Sequence, residues 1–267
     1  MRGISPLIGQ TVQQVIIRHP TLRWPIPSHL VSTLSTLQLT RLTRRAKYIL
    51  AEFSRTNGEL IGTLLLHLGM SGRLCLLAKD EPAAKHDHFD IQFKSGQVLR
   101  LRDPRRFGAV LWVDGDATHE HALIKTLGPE PLESTFSGAY LYQQLRTRTA
   151  SIKIVIMDSH LVVGVGNIYA SESLFRSGIN PKMPAKKLSK SKCERLAAEI
   201  KATLAEAIEA GGSSLRDFFG ADGNPGYFQQ TYFVYGRTGE PCRVCQKPIL
   251  QIKQGQRSTF YCPNCQR

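Results

Sequence analysis

The sequence predicts an α+β protein in two domains: an N-terminal antiparallel β-sandwich or barrel, then a helical region closed by a small four-cysteine module. Three observations predict it. The first 115 residues alternate short β-rich runs with turn residues, a four-residue apolar period takes over further on, and the last thirty residues carry two C-x2-C pairs. A length of 267 residues favours two domains over one, and 42% hydrophobic residues suffice for buried cores.

The strand runs are Val12 to Ile17, Tyr48 to Phe53, Leu60 to His67, His88 to Phe93, Val98 to Arg102 and Ala109 to Val113. Turn signals such as Thr56-Asn57-Gly58 and Lys94-Ser95-Gly96 separate them, the punctuation of antiparallel pairing. This first domain spans 1–115. Asp114-Gly115-Asp116 and the polar, His-rich stretch after it read as a linker, 116–130, ending near Leu127-Gly128-Pro129-Glu130-Pro131. The helical domain covers 131–230. In it Leu196, Ile200, Leu204 and Ile208 recur every four residues between Lys and Glu, with Gly211-Gly212 as the stop. That is an amphipathic helix with one face in a core. Asp222 to Gly226 (DGNPG) is a loop of turn residues, and the cysteine module occupies 231–267.

Charge narrows the partners. Lys plus Arg is 35 against 21 Asp plus Glu, a formal net charge of +14, and the excess points to a polyanion such as nucleic acid. No run reaches the roughly 18 apolar residues of a membrane span; the best, Leu60 to Met70, is short and broken by Gly62, Thr63 and His67. The opening MRGISPLIGQ lacks the long apolar stretch of a secretory signal, so the expectation is a cytoplasmic protein. Six cysteines there favour metal over a disulfide framework.

Cys242-x2-Cys245, sixteen residues, then Cys262-x2-Cys265 is the spacing of a four-thiolate structural zinc site, one Zn2+, with a β-hairpin between the pairs. So short a segment has little core, so the metal supplies much of its folding free energy. Cys75 and Cys193 fall outside the pattern. From Arg237 to Arg267 six Lys/Arg face one acid, Glu240, a net +5 that suits phosphates. The hairpin tip Lys253-Gln254-Gly255-Gln256-Arg257 either carries a cation into a groove or simply caps a ribbon with a solvated basic face.

Five other strings carry chemistry or its bland counterpart. In Leu161 to Phe175 (LVVGVGNIYASESLF) a Gly164-x-Gly166 turn places Asn167 as the N-cap of a helix. Such an end can seat a phosphate or merely join two elements, and it is not a dinucleotide fingerprint because Tyr169 stands where the third glycine belongs. Asp103-Pro104-Arg105-Arg106-Phe107-Gly108 sets two guanidinium groups beside an aromatic in a turn, suited to phosphate or guanine pairing and to wedging between bases. His67-Leu68-Gly69-Met70-Ser71-Gly72 offers an apolar Met on a glycine-rich loop. His86-Asp87-His88 lacks a third metal ligand nearby, and Arg44-Arg45-Ala46-Lys47 is a basic cluster leading into a strand.

In family order, RGI (2–4), LRWP (22–25), RRAKY (44–48), HLGMSG (67–72), KHDH (85–88), DPRRFG (103–108), LGPEPL (127–132), LVVGVGNIYASESLF (161–175), GYF (226–228), YGRTGEPCRVC (235–245) and QRSTFYCPNC (256–265) resemble the bacterial formamidopyrimidine-DNA glycosylases. The resemblance covers nearly the whole chain, and the oxidised-pyrimidine relative, endonuclease VIII, matches HLGMSG and DPRRFG less well. It implies a β-sandwich, a helix–two-turn–helix domain and a zinc-ribbon β-hairpin in a monomer, with DNA gripped between the domains. The implied activity is base-excision repair of oxidised purines, 8-oxoguanine and formamidopyrimidines, by a DNA glycosylase that is also an abasic-site lyase. The implied partner is double-stranded DNA bearing oxidised bases or abasic sites.

By position, Lys47 resembles the lysine that assists elimination, and Arg257 the hairpin arginine associated with phosphate contact and δ-elimination. Met70, Arg105 and Phe107 resemble the trio that fills the gap left by the everted nucleotide. His86, Arg148, Lys153 and Asn167 resemble phosphate contacts, and 212–227 the segment that closes over the flipped base. One departure matters. The family's mature chain begins Pro-Glu-Leu-Pro-Glu, and the proline's secondary amine attacks the sugar C1′ to form a Schiff base. This sequence opens Met1-Arg2-Gly3-Ile4, and Pro6 is internal, its nitrogen an amide. Two expectations follow: a glycosylase and lyase whose nucleophile lies upstream of an internal Met taken as the start, or a damaged-DNA-binding protein with crippled chemistry. An RNA-binding zinc ribbon would fit the charge and the cysteines but not the matching strings.

Overall fold

The computed structural model describes residues 2–210 and 232–267. They divide into two compact units, one of residues 2–125 and one of residues 126–210 with 232–267. The predicted glycine stop at 211–212, the 222–226 loop and the 212–227 segment lie outside the described residues.

The first unit starts with a 3-10 turn, Arg2–Leu7, and runs through β1 (Val12–Ile17), the short helix α1 (Leu30–Thr33), β2 (Gln38–Arg45), β3 (Tyr48–Ser54), β4 (Leu60–His67), β5 (Arg73–Ala78), β6 (Asp87–Phe93), β7 (Gln97–Arg102) and β8 (Ala109–Asp114). These form two four-stranded sheets, β1-β6-β7-β5 and β2-β3-β4-β8, with every pairing antiparallel. No strand belongs to both sheets, so the fold is a sandwich and not a barrel. Val15, Phe89, Ile91 and Leu101 from one sheet pack with Leu39, Phe53, Leu64 and Leu66 from the other in a single core. The six predicted strands match to within one residue.

Two strands escaped the sequence reading, β2 and β5, and both are sheet edges. An edge strand needs only part of one face buried. QLTRLTRR accordingly shows no clean alternation and buries only Leu39 fully. The opposite case is β6, every residue of which is buried. Phe89, Ile91 and Phe93 face the core, and the alternate residues include Asp90, opposite Arg100 in register. Arg100 Nε donates to Asp90 Oδ1 at 3.0 Å, and Arg18 Nη2 donates to Asp90 Oδ2 at 2.7 Å. The 116–130 stretch contains a 3-10 turn, Ala117–Glu120, and a one-turn helix, α2 (Ala122–Lys125).

The second unit contains α3 (Gly138–Leu145), α4 (Ile152–Ile156), α5 (Asn167–Arg176), α6 (Lys190–Glu209) and the hairpin β9 (Leu250–Gln254) with β10 (Arg257–Tyr261). Ser137 caps α3 by accepting from Tyr140 N, and Ser189 caps α6 by accepting from Lys192 N. Leu196, Ile200 and Leu204 share a core with Ile156, Leu161, Val165 and Leu174. Ile208, predicted for the same face, is 53% exposed. A four-residue repeat overshoots a full turn at roughly 100° per residue, so three repeats rotate a side chain off the buried stripe. Among the described residues no helix is long and apolar enough to cross a membrane.

Candidate nucleic-acid interface and metal centre

In the first unit two loops meet. The 67–72 loop closes on itself through Gly72 N–H to Leu68 O at 2.8 Å, and Gly69 N–H donates to His67 Nδ1 at 2.9 Å. Gly69 has φ +62°, and a Cβ there would lie 2.6 Å from the carbonyl carbon of Phe107, so the two backbones touch. The 103–108 loop turns through Arg106 N–H to Asp103 O at 3.2 Å. Met70 and Phe107 are large apolar side chains left 55% and 45% exposed, and the Arg105 guanidinium stacks 4.6 Å from the Phe107 ring centroid. The fold thus places Met70, Arg105 and Phe107 on adjoining loops.

A cationic corner lies on the same unit. Lys47 is exposed in the two-residue turn between β2 and β3, where Arg45 pairs with Tyr48. The Tyr48 and His67 rings stand 4.9 Å apart. Burial, reinforced by Lys47 and Arg23, holds the His67 pKa down to about 4. With Nδ1 accepting from Gly69, the neutral ring carries its proton on Nε2 and offers a donor there. His86 is half-buried, and its carbonyl accepts from Asp103 N–H at 3.0 Å. The His-Asp-His string is not a metal site: Asp87 takes Arg102 Nη2 at 2.9 Å, and His88 Nε2 lies 2.9 Å from Asp103 O.

In the second unit the structure corrects the reading of Asn167. Gly166, in extended backbone, is the N-cap of α5, and Asn167 is the first helical residue. Its side chain turns instead to a buried ammonium, Lys153 Nζ, which donates to Asn167 Oδ1 at 2.6 Å, Ser258 O at 2.9 Å and Thr259 Oγ1 at 2.7 Å. Lys153 is fully buried. Burial, with the Arg257 charge second, draws its pKa down to about 8. Asn167 Nδ2 donates to Tyr235 Oη at 3.4 Å, so the amide presents its NH2 away from the lysine. Lys153, Asn167, Tyr235 and the exposed Arg257 therefore form one cluster between α4, α5 and the hairpin. Arg148 stands apart, paired with Asp158 at 2.9 Å, which lies across from it.

Glu172 was missed at the sequence level. It is buried, and it accepts backbone N–H bonds from Phe233 (2.8 Å), Val234 (3.0 Å) and Tyr235 (2.9 Å), anchoring the segment that carries Tyr235. Burial pushes its pKa up against the pull of those donors. The available signal was an acid set among small and apolar residues of a helix, Ala170, Ser171, Ser173 and Leu174, all of them buried.

The four cysteine sulfurs lie within 4.8 Å of one another, with Cys242 to Cys265 at 3.9 Å and Cys245 to Cys262 at 3.4 Å. A tetrahedral zinc with Zn–S bonds of ~2.3 Å needs sulfurs ~3.8 Å apart. The donor set and spacing fit one structural Zn2+, and the site is closed by four protein ligands. A backbone N–H from Lys247 draws the Cys245 thiol down to about 6, which favours the ligating thiolate. The module docks through Gln266, whose Nε2 donates to Ile179 O at 2.9 Å while its Oε1 accepts from Cys262 N at 2.8 Å. The hairpin turns at Gly255-Gln256, φ +52° and +63°, the type I′ signature.

Three family models match: the formamidopyrimidine-DNA glycosylase N-terminal domain over residues 1–110, the formamidopyrimidine-DNA glycosylase H2TH domain over 127–219, and a zinc finger found in FPG and IleRS over 239–267. The formamidopyrimidine-DNA glycosylase of Methylobacillus flagellatus is 64% identical over 266 residues, spanning 100% of this chain and 93% of the relative. That of a Janthinobacterium species is 55% identical over 269 residues, spanning 100% and 96%. Among solved structures, the MutM (Fpg) protein of Thermus thermophilus superposes with a TM-score of 0.87 at 33% identity, covering 99% of this chain and 95% of that one. Lactococcus lactis Fpg in complex with abasic-site DNA gives a TM-score of 0.91 at 32% identity, covering 100% and 96%.

Proposed function

Because this chain belongs to the formamidopyrimidine-DNA glycosylase family, we propose that its two clusters are the parts of one lesion-handling machine. The enzyme is a DNA glycosylase and abasic-site lyase that removes oxidised purines from duplex DNA in base-excision repair, with one structural zinc. The observation that carries the residue assignments is that Met70 and Phe107 are exposed beside Arg105 on adjoining loops of one unit, while the other unit holds its own cluster of Lys153, Asn167 and Arg257.

In this reading Met70, Arg105 and Phe107 enter the stack where the damaged nucleotide leaves, offsetting the few kcal/mol of eversion. Lys47, Asn167 and Arg257 hold the bent backbone by its phosphates, and half-buried His86 and the paired Arg148 serve at its margin. Lys153, enclosed by three acceptors, acts by fixing the Asn167 amide and adding positive charge behind it. When the sugar is held as a Schiff base, the cation acidifies the C2′ proton. Lys47 and Arg257 then assist departure of the 3′ and 5′ phosphates by β- and δ-elimination.

Base expulsion needs an amine with a free lone pair attacking C1′. Each of the 14 prolines within residues 1–267 follows another residue, so its nitrogen is an amide, Pro6 in the Arg2–Leu7 turn included. We therefore assign the base-expelling amine to none of these prolines. Borohydride trapping tests the assignment on two polypeptides: residues 1–267, and the same residues preceded by the family's Pro-Glu-Leu-Pro-Glu opening. The expected result is an adduct on an 8-oxoguanine duplex with the extended polypeptide, and with residues 1–267 on an abasic-site duplex alone. Equal 8-oxoguanine adduct from both would overturn the nucleophile assignment. Intact gel-shift binding without any adduct would favour a binding protein with lost chemistry.

A further inference from the structure

The loops that carry Met70, Arg105 and Phe107 share one buried carboxylate, that of Asp103. The residue has no exposed surface. Its Oδ1 accepts from Ser71 Oγ at 2.8 Å, one residue past Met70, and its Oδ2 accepts from Gly108 N–H at 2.8 Å, one residue past Phe107. The backbone of Asp103 is tied as firmly: its N–H donates to His86 O at 3.0 Å, and its carbonyl lies 2.9 Å from His88 Nε2. Around this point the loops have no slack. A Cβ on Gly69 would meet Phe107, and one on Gly108 would lie 2.7 Å from His67 O.

We infer that Asp103 is the positioning residue that locks the 67–72 and 103–108 loops in one register, so that Met70, Arg105 and Phe107 meet a duplex as a single pre-set wedge. The inference rests on the wedge reading above and deepens it. A stacked duplex pushes back on anything that enters it. Side chains on independently mobile loops would have to be ordered at the moment of insertion, at the expense of affinity. A wedge whose supporting loops are already pinned avoids that loss. A carboxylate suits the task because both of its oxygens accept at once, one from each loop. Asparagine keeps both struts only if the Ser71 hydroxyl turns to accept from the new NH2. Alanine at 103 loses both struts, and alanine at 71 loses one.

The test uses the whole chain with Ser71→Ala, Asp103→Ala and Asp103→Asn, beside Met70→Ala and Phe107→Ala. Each is titrated against an abasic-site duplex carrying 2-aminopurine opposite the gap, and against the undamaged duplex at the same salt. Brightening of the 2-aminopurine reports unstacking by the wedge. Ser71→Ala should lose roughly tenfold in abasic-site affinity and most of the brightening, the effect of one buried charge-assisted bond. Its undamaged-duplex affinity should hold, and Asp103→Asn should stay near wild type. If Asp103→Ala does not fold, the Ser71 and Asn variants still decide. Full brightening in Ser71→Ala, alongside its loss in Met70→Ala and Phe107→Ala, would overturn the clamp and leave the wedge standing. Unchanged brightening in Met70→Ala and Phe107→Ala would overturn the wedge itself, and the clamp with it.

Discussion

His67 works as a neutral ring. Its Nδ1 is taken by Gly69 N–H, and burial beside Lys47 and Arg23 lowers its pKa to about 4. An unfolded histidine takes its proton near ~6.5. Between those two values the unfolded chain binds more protons than the folded one, so stability rises with pH across that window. It is fully present above the unfolded value and is lost as pH falls through the folded one. Solvent screening trims the effect, because the ring is only half-buried. The urea midpoint of the wild type should fall more steeply than that of His67→Gln between about pH 6.5 and 4.5; parallel curves would remove the argument. Gly69 gives a second prediction at the same loop. Alanine there meets both a left-handed backbone, at ~1–2 kcal/mol, and a main-chain clash with Phe107. Calorimetry should show Tm lowered by about 4 °C or more, and an unchanged Tm would mean that the loops part freely.

At the scale of elements, the zinc hairpin and α4 are coupled through Lys153. The hairpin shares only a small core, built from Val234, Ile249 and Phe260 with the cysteines, so the metal carries its folding. Chelation or Cys245→Ser should abolish amide-exchange protection in β9 and β10 while α6 keeps its own; simultaneous loss of both would make the unit one cooperative block. Lys153 loses two of its three acceptors in that event, Ser258 O and Thr259 Oγ1. Its pKa of about 8 lies below the ordinary value of 10.5, so in the window between them the folded chain has released a proton that the unfolded chain keeps. Stability rises with pH there, while affinity for DNA falls with the lost cation. In Lys153→Met, affinity should be level from about pH 7 to 9 where the wild type declines, and identical profiles would detach Lys153 from binding. The same elements show what the sequence could disclose. Six of the eight strands of the first unit, the edges β1 and β8 among them, and the four-thiolate spacing are local patterns and were legible. Edge strands β2 and β5 lack a two-sided pattern. Asn167 read as a cap from its place after the Gly164-x-Gly166 turn, but the oxygen of its side chain is claimed by a lysine 14 positions away. Ser71 with Asp103, 32 apart, and Glu172 with Phe233, 61 apart, are pairings that only the tertiary fold makes.

Over the whole molecule, a net charge of +14 supplies attraction to any duplex and no preference for a damaged one. Preference has to come from groups that gain more at a lesion than elsewhere, and in the proposed reading those include the uncharged, exposed Met70 and Phe107. The two contributions separate in a salt titration. Each phosphate neutralised adds about 0.9 to the slope of log affinity against log salt. Arg257→Ala should therefore reduce that slope by about one on damaged and undamaged DNA alike. Arg148→Ala should reduce it by less, because Asp158 already offsets that guanidinium at 2.9 Å. Met70→Ala should leave the slope untouched and lower the ratio of lesion to undamaged affinity. Filter-binding isotherms at four salt concentrations on both duplexes read all three at once. If Met70→Ala changed the slope, or Arg257→Ala changed the ratio alone, charge and wedge would not be separable functions, and the division of labour between the two clusters would have to be redrawn.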